Sequence, residues 1–184
     1  MRILLSSLIV LFSILATTSQ AEETKMDFSV LKEGVRGYRN LSNKPDAPQV
    51  VFTNQLGEEI TLADFKGKTI LLNLWATWCP PCIREMPALN DLAKEFKDKK
   101  FIVLAIATGK QGRESADGFL EKRKLTELIS YHDPKQNFLR LMGMETLPVS
   151  FIIGPEGKMQ GGVVGMTEWD SPEAKTVFRQ LLNY

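Results

Sequence analysis

The sequence predicts an α/β fold with one mixed β-sheet flanked by helices, and three observations carry that expectation. Apolar runs of strand length, residues 69–75 and 101–107, are each followed by a longer stretch of helical period, as strands joined by helices require. Residues 149–153, a tight turn at 154–157 and residues 158–164 read as an antiparallel pair. A chain of 184 residues, 43% of them hydrophobic, is long enough for one well-buried core and hardly for two.

The N-terminus stands apart. Met1 and Arg2 precede an apolar run from Ile3 to Ala16, too short for a comfortable membrane span, and Ser19 and Ala21 put small residues where a signal peptidase reads. Residues 1–21 are therefore expected to be a signal peptide, or an N-terminal anchor if uncleaved. Either way the globular part is exported. No cysteine lies in or just after the run, so no site for a lipoprotein anchor is seen. The 23 basic and 22 acidic residues leave a net charge of +1, a balance that argues against nucleic acid or a charged membrane surface as main partner.

Residues 22–47 are polar and end in Lys44, Pro45, Asp46 and Ala47, the composition of a linker arm leading into a domain over 48–184. Residues 49–53 and 59–62 flank a turn at 54–57 and predict an N-terminal β-hairpin extension. Residues 70–75 are apolar enough for a strand buried on both faces. After the cysteines, as far as about Phe96, the apolar residues Met86, Leu89, Leu92, Ala93 and Phe96 keep helical spacing, with a kink expected at Pro87. Residues 101–107 form the next buried strand and 108–112 a loop. A helix follows from Glu114 to about Leu125, with Ala116, Phe119, Leu120 and Lys124 as an amphipathic set. Residues 129–132 suggest a short strand, 137–142 a short helix ended by Gly143, and Ser171-Pro172 the N-cap and first turn of a last helix through Leu182.

The chemistry concentrates at Trp75-Ala76-Thr77-Trp78-Cys79-Pro80-Pro81-Cys82, which holds both cysteines of the chain. A Cys-x-x-Cys pair at a strand-to-helix junction sets the first sulfur beside unpaired helix N–H groups, whose partial positive charge favours thiolate. Cys79 is the expected nucleophile. Cys82, one turn inside the helix, is the expected resolving thiol. A purely structural disulfide would close so short a loop that it removes only on the order of 2 kcal/mol of unfolded-chain entropy. Zinc needs four ligands, and His132 is the single histidine. His132 itself, in a loop or edge strand, is read as solvated and without a catalytic or metal role.

With these residues in place, the chain resembles the thioredoxin superfamily, and within it the exported thiol-disulfide proteins of the TlpA/ResA/CcmG (DsbE) type. The resemblance runs from about Pro48 to Leu182. It rests on the Trp75–Cys82 stretch, on its continuation Ile83-Arg84-Glu85-Met86-Pro87, and on Thr146-Leu147-Pro148-Val149-Ser150 followed by Gly154-Pro155-Glu156-Gly157. It implies a thioredoxin-like fold and a cis peptide bond before Pro148. It also implies protein-disulfide reductase activity in the periplasm, with substrates such as apocytochrome c or copper-site proteins, and a membrane electron donor of the DsbD/CcdA type. No small-molecule cofactor is expected beyond a redox-active Cys79–Cys82 disulfide, and a monomer is expected.

Around the cysteines, Trp78, Leu147 and Pro148 are the expected substrate-binding residues, with the loop near Gly109 shaping the same surface. Trp75, ending a buried strand, belongs to the core. Cytoplasmic-type thioredoxins carry an aspartate where this chain has Asn73, and an amide cannot take a proton. Glu85 offers a replacement. It lies about 60° from Cys82 on the helix, within the stripe of Met86, Leu89 and Leu92, and burial pushes a carboxylic acid's pKa upward. The group also carries a glutamate at this offset. Three other readings stay open at this point: a disulfide oxidase or isomerase using the same pair in reverse; a copper metallochaperone, for which no further histidine or cysteine stands near the loop; and a peroxidase, for which no activating threonine and arginine are seen around a single reactive cysteine.

Overall fold

The computed structural model describes residues 26–183. The signal-peptide or anchor segment at 1–21 lies outside them. Among the described residues eight strands form one mixed sheet: β1 (Arg39–Asn40), β2 (Phe52–Thr53), β3 (Glu59–Ile60), β4 (Thr69–Trp75), β5 (Phe101–Thr108), β6 (Ser130–Asp133), β7 (Val149–Ile153) and β8 (Met159–Val164), in the order β1-β8-β7-β4-β5-β6-β2-β3. The strands β4, β5 and β6 run parallel, while on the other side of β4 strand β7 pairs antiparallel with β4 and β8 antiparallel with β7. The helices are α1 (Leu31–Gly34), α2 (Pro80–Glu95), α3 (Arg113–Lys122), α4 (Asn137–Leu141) and α5 (Pro172–Leu181). None of the helices among the described residues is long and apolar enough to cross a membrane.

Strand β4 is buried along its whole length, and its period of two divides it between two apolar layers. Leu71 and Trp75 join Met86, Leu89 and Leu92 of α2 and Val177 and Phe178 of α5 on one face. Ile70, Leu72 and Leu74 join Phe52, Tyr131 and Phe138 on the other. By the same alternation Asn73 faces α2, and so a polar residue stands in the middle of an apolar layer, wholly buried.

The helix boundaries follow from local chemistry. Ser171 caps α5 by accepting from the Ala174 N–H at 3.1 Å, with Pro172 in the first turn where its missing N–H costs nothing. Helix α2 opens on Pro80 and Pro81, and its N-cap is Cys79 itself.

Two sequence expectations need correction. The polar arm at 22–47 is not a free linker over its described part. Phe28, Val30, Leu31, Val35 and Tyr38 are buried in the layer that holds α2 and α5, and β1 pairs with β8 through Arg39↔Gly162 and Asn40↔Gly161. The packing is close: a Cβ on Gly34 would meet the Glu173 carbonyl oxygen at 2.4 Å, and one on Gly161 the Arg39 carbonyl oxygen at 2.3 Å. Phe28, Leu31, Val35 and Tyr38 keep a helical spacing, but it runs through a 3-10 turn and a one-turn helix up to a two-residue strand in a polar stretch, with no single element long enough to read as a helix. His132 is not solvated either. Strand β6 lies between β5 and β2, and the buried imidazole Nε2 sits 3.2 Å from the Gly109 carbonyl oxygen.

Candidate active site

The cysteines lie where β4 hands over to α2. As N-cap, Cys79 has an extended backbone, and its sulfur accepts the Cys82 N–H at 3.3 Å. Any negative charge that develops on Cys79 therefore meets an aligned N–H and the positive end of a 16-residue helix. Cys79 and Cys82 are joined as a disulfide, with Cα atoms 5.3 Å apart. The two sulfurs are not equivalent. Cys79 lines a surface groove of about 490 Å³, whereas Cys82 is fully buried beneath it. Of the two, only Cys79, itself 4% exposed, borders the groove.

The groove is framed by Trp78, Pro80 and Pro81 on one side and by Leu139, Met144 and Leu147 on the other. Trp78 leaves 64% of its surface exposed, a large apolar side chain held out beside the reactive sulfur. The Leu147–Pro148 peptide bond is cis, and Leu147 faces the groove immediately ahead of β7. The loop near Gly109 does not itself line the groove; it meets the active-site stretch through Gln111, whose Oε1 accepts from the Thr77 N–H at 2.6 Å and the Thr77 hydroxyl at 2.7 Å. Gln136, Arg140 and Glu145 give this apolar groove a polar rim that the sequence did not indicate.

Glu85 lies one turn past Cys82 on α2 and is 1% exposed. Three N–H donors from distant parts of the chain surround its carboxylate. Trp169 Nε1 and the Thr167 backbone N–H donate to Oε1 at 2.6 and 3.2 Å, and Asn73 Nδ2 donates to Oε2 at 3.3 Å. Burial raises the Glu85 pKa from its ordinary 4.5 to about 7, and the three donors hold it from rising further. A carboxyl with this pKa exchanges protons readily near neutrality.

The structure thus brings Cys79, Cys82, Trp78, Leu147 and Pro148 to one end of the sheet, with Glu85 buried behind them. Sequence reasoning missed Trp169 and Thr167. Between Glu168 and Asp170, an isolated tryptophan in a polar loop carries no period, and a backbone N–H carries no residue signal at all. Thr167 is itself tied to the N-terminal arm, its hydroxyl donating to the Arg36 carbonyl at 3.0 Å. Among the described residues no three His, Cys, Asp or Glu side chains are grouped so as to hold a metal ion.

Comparison with known proteins agrees with this arrangement. The AhpC/TSA family matches residues 44–161. Thiol-disulfide oxidoreductase ResA of Bacillus subtilis is 31% identical over 144 residues, spanning 78% of this chain and 79% of that protein. ResA of Geobacillus kaustophilus is 36% identical over 125 residues, 67% of this chain and 71% of that one. Among solved structures, a chain assigned as the thiol:disulfide interchange protein DsbE of Chlorobium tepidum superimposes with a TM-score of 0.63 at 29% identity, covering 76% of this chain and 94% of that one. The pneumococcal exposed lipoprotein thioredoxin Etrx1 of Streptococcus pneumoniae gives 0.57 at 28% identity, covering 74% and 98%.

Proposed function

The chain belongs to the AhpC/TSA family, with a thioredoxin-like fold and thiol-disulfide oxidoreductase function of the ResA and DsbE type, and from that premise we propose that it is an exported, periplasmic reductant of protein disulfides acting through Cys79 and Cys82. The observation that carries this reading is the asymmetry of the pair: one sulfur at the groove and at a helix N-terminus, the other buried beside a carboxyl whose pKa is about 7.

In the dithiol form, the Cys79 thiolate attacks one sulfur of a substrate disulfide. A Cys79–substrate disulfide forms and the other substrate sulfur leaves as thiolate. Glu85 then takes the proton of the Cys82 thiol. The Cys82 thiolate attacks the Cys79 sulfur, closing the Cys79–Cys82 disulfide and releasing the second substrate thiolate. Two electrons pass from the protein to the substrate, and the two leaving thiolates collect the protons. Trp78 and Leu147 supply apolar contact on either side of the reacting sulfur, and the backbone at Leu147 aligns an extended substrate segment. Regeneration needs an electron donor, for which a membrane carrier of the DsbD/CcdA type is the fitting class. Apocytochrome c and copper-site proteins are the fitting substrates.

The reduction potential of the Cys79/Cys82 pair tests the direction of electron flow. Equilibration in thiol-disulfide buffers, followed by thiol alkylation, is expected to give a value around −250 mV or lower, near the thioredoxin end of the scale. A value near −120 mV would mean a disulfide donor and overturn the reductant reading.

A further inference from the structure

The Glu85 carboxylate is met by donors alone: the Trp169 indole, the Thr167 amide and the Asn73 amide. That set suits an ionised carboxylate. Once Glu85 takes a proton, its new O–H needs an acceptor. Oε1 is held by two donors that cannot reverse, an indole N–H and a backbone N–H, so the proton belongs on Oε2, which faces Asn73.

Asn73 can reverse. Its carboxamide presents a donor or an acceptor according to which way it is turned about its last torsion. In the orientation described, Nδ2 donates both to Glu85 Oε2 at 3.3 Å and to Ser150 Oγ at 2.9 Å, while Oδ1 is buried with no hydrogen-bond partner among the described residues. A half-turn exchanges the two ends. Oδ1 then accepts from the Glu85 acid and from the Ser150 hydroxyl, which rotates to donate. Nδ2 moves to the position Oδ1 has left. One buried group lacks a partner before the turn and one after it, so the two orientations stay close in energy.

Among the described residues, the groups hydrogen-bonded around Glu85 bring no competing titration in the oxidised protein. Strand β4 brings Asn73, β7 brings Ser150 and the loop after β8 brings Thr167 and Trp169, none of them ionisable at these pH values. Arg36 reaches the cluster only through its carbonyl, by way of Thr167. On α2 itself the ionisable neighbour is Cys82, held in the disulfide.

We propose that Asn73, seated on Ser150, is a positioning residue that serves both protonation states of Glu85: it donates to the carboxylate and, turned by half a revolution, accepts from the carboxylic acid. This deepens the reading of Glu85 as the base for Cys82 and rests on it. The proton leaves the Cys82 thiol, arrives on Oε2 and is held there by Asn73 until it passes on, with no charged partner required in the core. An aspartate at position 73 would place a second carboxylate against the first and could not donate when ionised.

The test is a pH titration of the isotope-labelled full-length protein in its disulfide form, followed by NMR. The Glu85 carboxyl carbon and the Asn73 side-chain amide are expected to titrate with one shared midpoint, and cross-peaks between the Asn73 amide protons and the Ser150 β-protons are expected to weaken on the acid side. Glu85→Gln provides the control. Its amide oxygen is claimed by Trp169 and Thr167, so its NH₂ faces Asn73 and should lock Asn73 in the turned orientation at every pH. Asn73 cross-peaks that stay unchanged through the Glu85 titration, or that resemble the high-pH wild-type pattern in Glu85→Gln, would overturn the proposal. The catalytic reading fails separately: it is lost if Glu85→Gln exchanges disulfides at the wild-type rate, whatever the amide does.

Discussion

The Trp169 indole donates to Glu85 Oε1 across 2.6 Å, joining the loop after the last strand to the helix that begins at the active-site cysteines. Both side chains are buried, and the bond favours the ionised carboxylate over the acid. Trp169→Phe keeps an aromatic ring, though a smaller one, and removes the donor. Its Glu85 midpoint should rise above 7 by about one unit, and the protein should lose about 1.5–3 kcal/mol, the range for a hydrogen bond to a charged group. Carboxyl-carbon NMR titration and denaturant unfolding read the two effects. An unmoved midpoint would mean that the indole does not tune the acid.

Stability should depend on pH through the same residue. The folded-state pKa of Glu85 lies above the ordinary value, so the native protein binds more protons than the unfolded chain between pH 4.5 and about 7. The contribution is fully present below the lower limit, is lost as pH rises through the upper one, and is flat beyond it. Unfolding free energies of the oxidised protein should show this fall, worth up to about 3 kcal/mol, and Glu85→Gln should remove it. A variant with the same slope as wild type would place the pH dependence elsewhere.

The inequality of the two sulfurs makes a mutational prediction. Cys82→Ser, offered a disulfide-bonded substrate, should accumulate a stable mixed disulfide through Cys79, visible as a mass shift that reductant reverses. Cys79→Ser should form no such adduct, because Cys82 is fully buried away from the groove. Equal trapping by both variants would contradict the assignment of nucleophile and resolving thiol.

Two tryptophans three residues apart should respond in opposite ways. Trp78→Ala, at an exposed side chain, should change stability by no more than about 0.5 kcal/mol while weakening substrate capture. Trp75→Ala removes a wholly buried ring that packs on Phe119 with centroids 5.3 Å apart, and should cost about 3–5 kcal/mol. Denaturant unfolding set beside the concentration dependence of exchange separates the two.

The arm should behave as core. Leu31→Ala is expected to destabilise by about 2–5 kcal/mol, although the residue sits outside the stretch that reads as the domain. A loss below about 0.5 kcal/mol would restore the linker reading.

Much of the site was legible because it is local. A Cys-x-x-Cys pair at the end of an apolar strand and the start of a helix defines a thiol at a helix N-terminus by short-range geometry alone. The 3.6-residue period alone puts Glu85 on the buried side of α2 with Met86 and Leu89. The strands β4, β5 and β7 were legible for the same reason, since each announces itself by length and apolarity. The arm was not, because the helical spacing of its buried residues Phe28, Leu31, Val35 and Tyr38 is spread over elements of two to four residues in a stretch of polar composition. Nor was His132, whose burial follows from β2 adding to the far side of β6, a pairing made through Thr53↔His132.

By itself the sequence determined which residues can do thiol chemistry, that Cys79 would meet the helix N-terminus, and that a carboxyl would be driven into the core beside Cys82. Only the tertiary structure decided what that carboxyl meets there. Its partners Asn73, Thr167 and Trp169 stand 12, 82 and 84 residues away in the chain, and Ser150 stands 77 residues from Asn73. Periodicity shows which face of an element turns inward, but the neighbour that face finds is settled when β7, β8 and the loop beyond them fold back over β4 and bring donors to a group that burial alone would leave unpartnered.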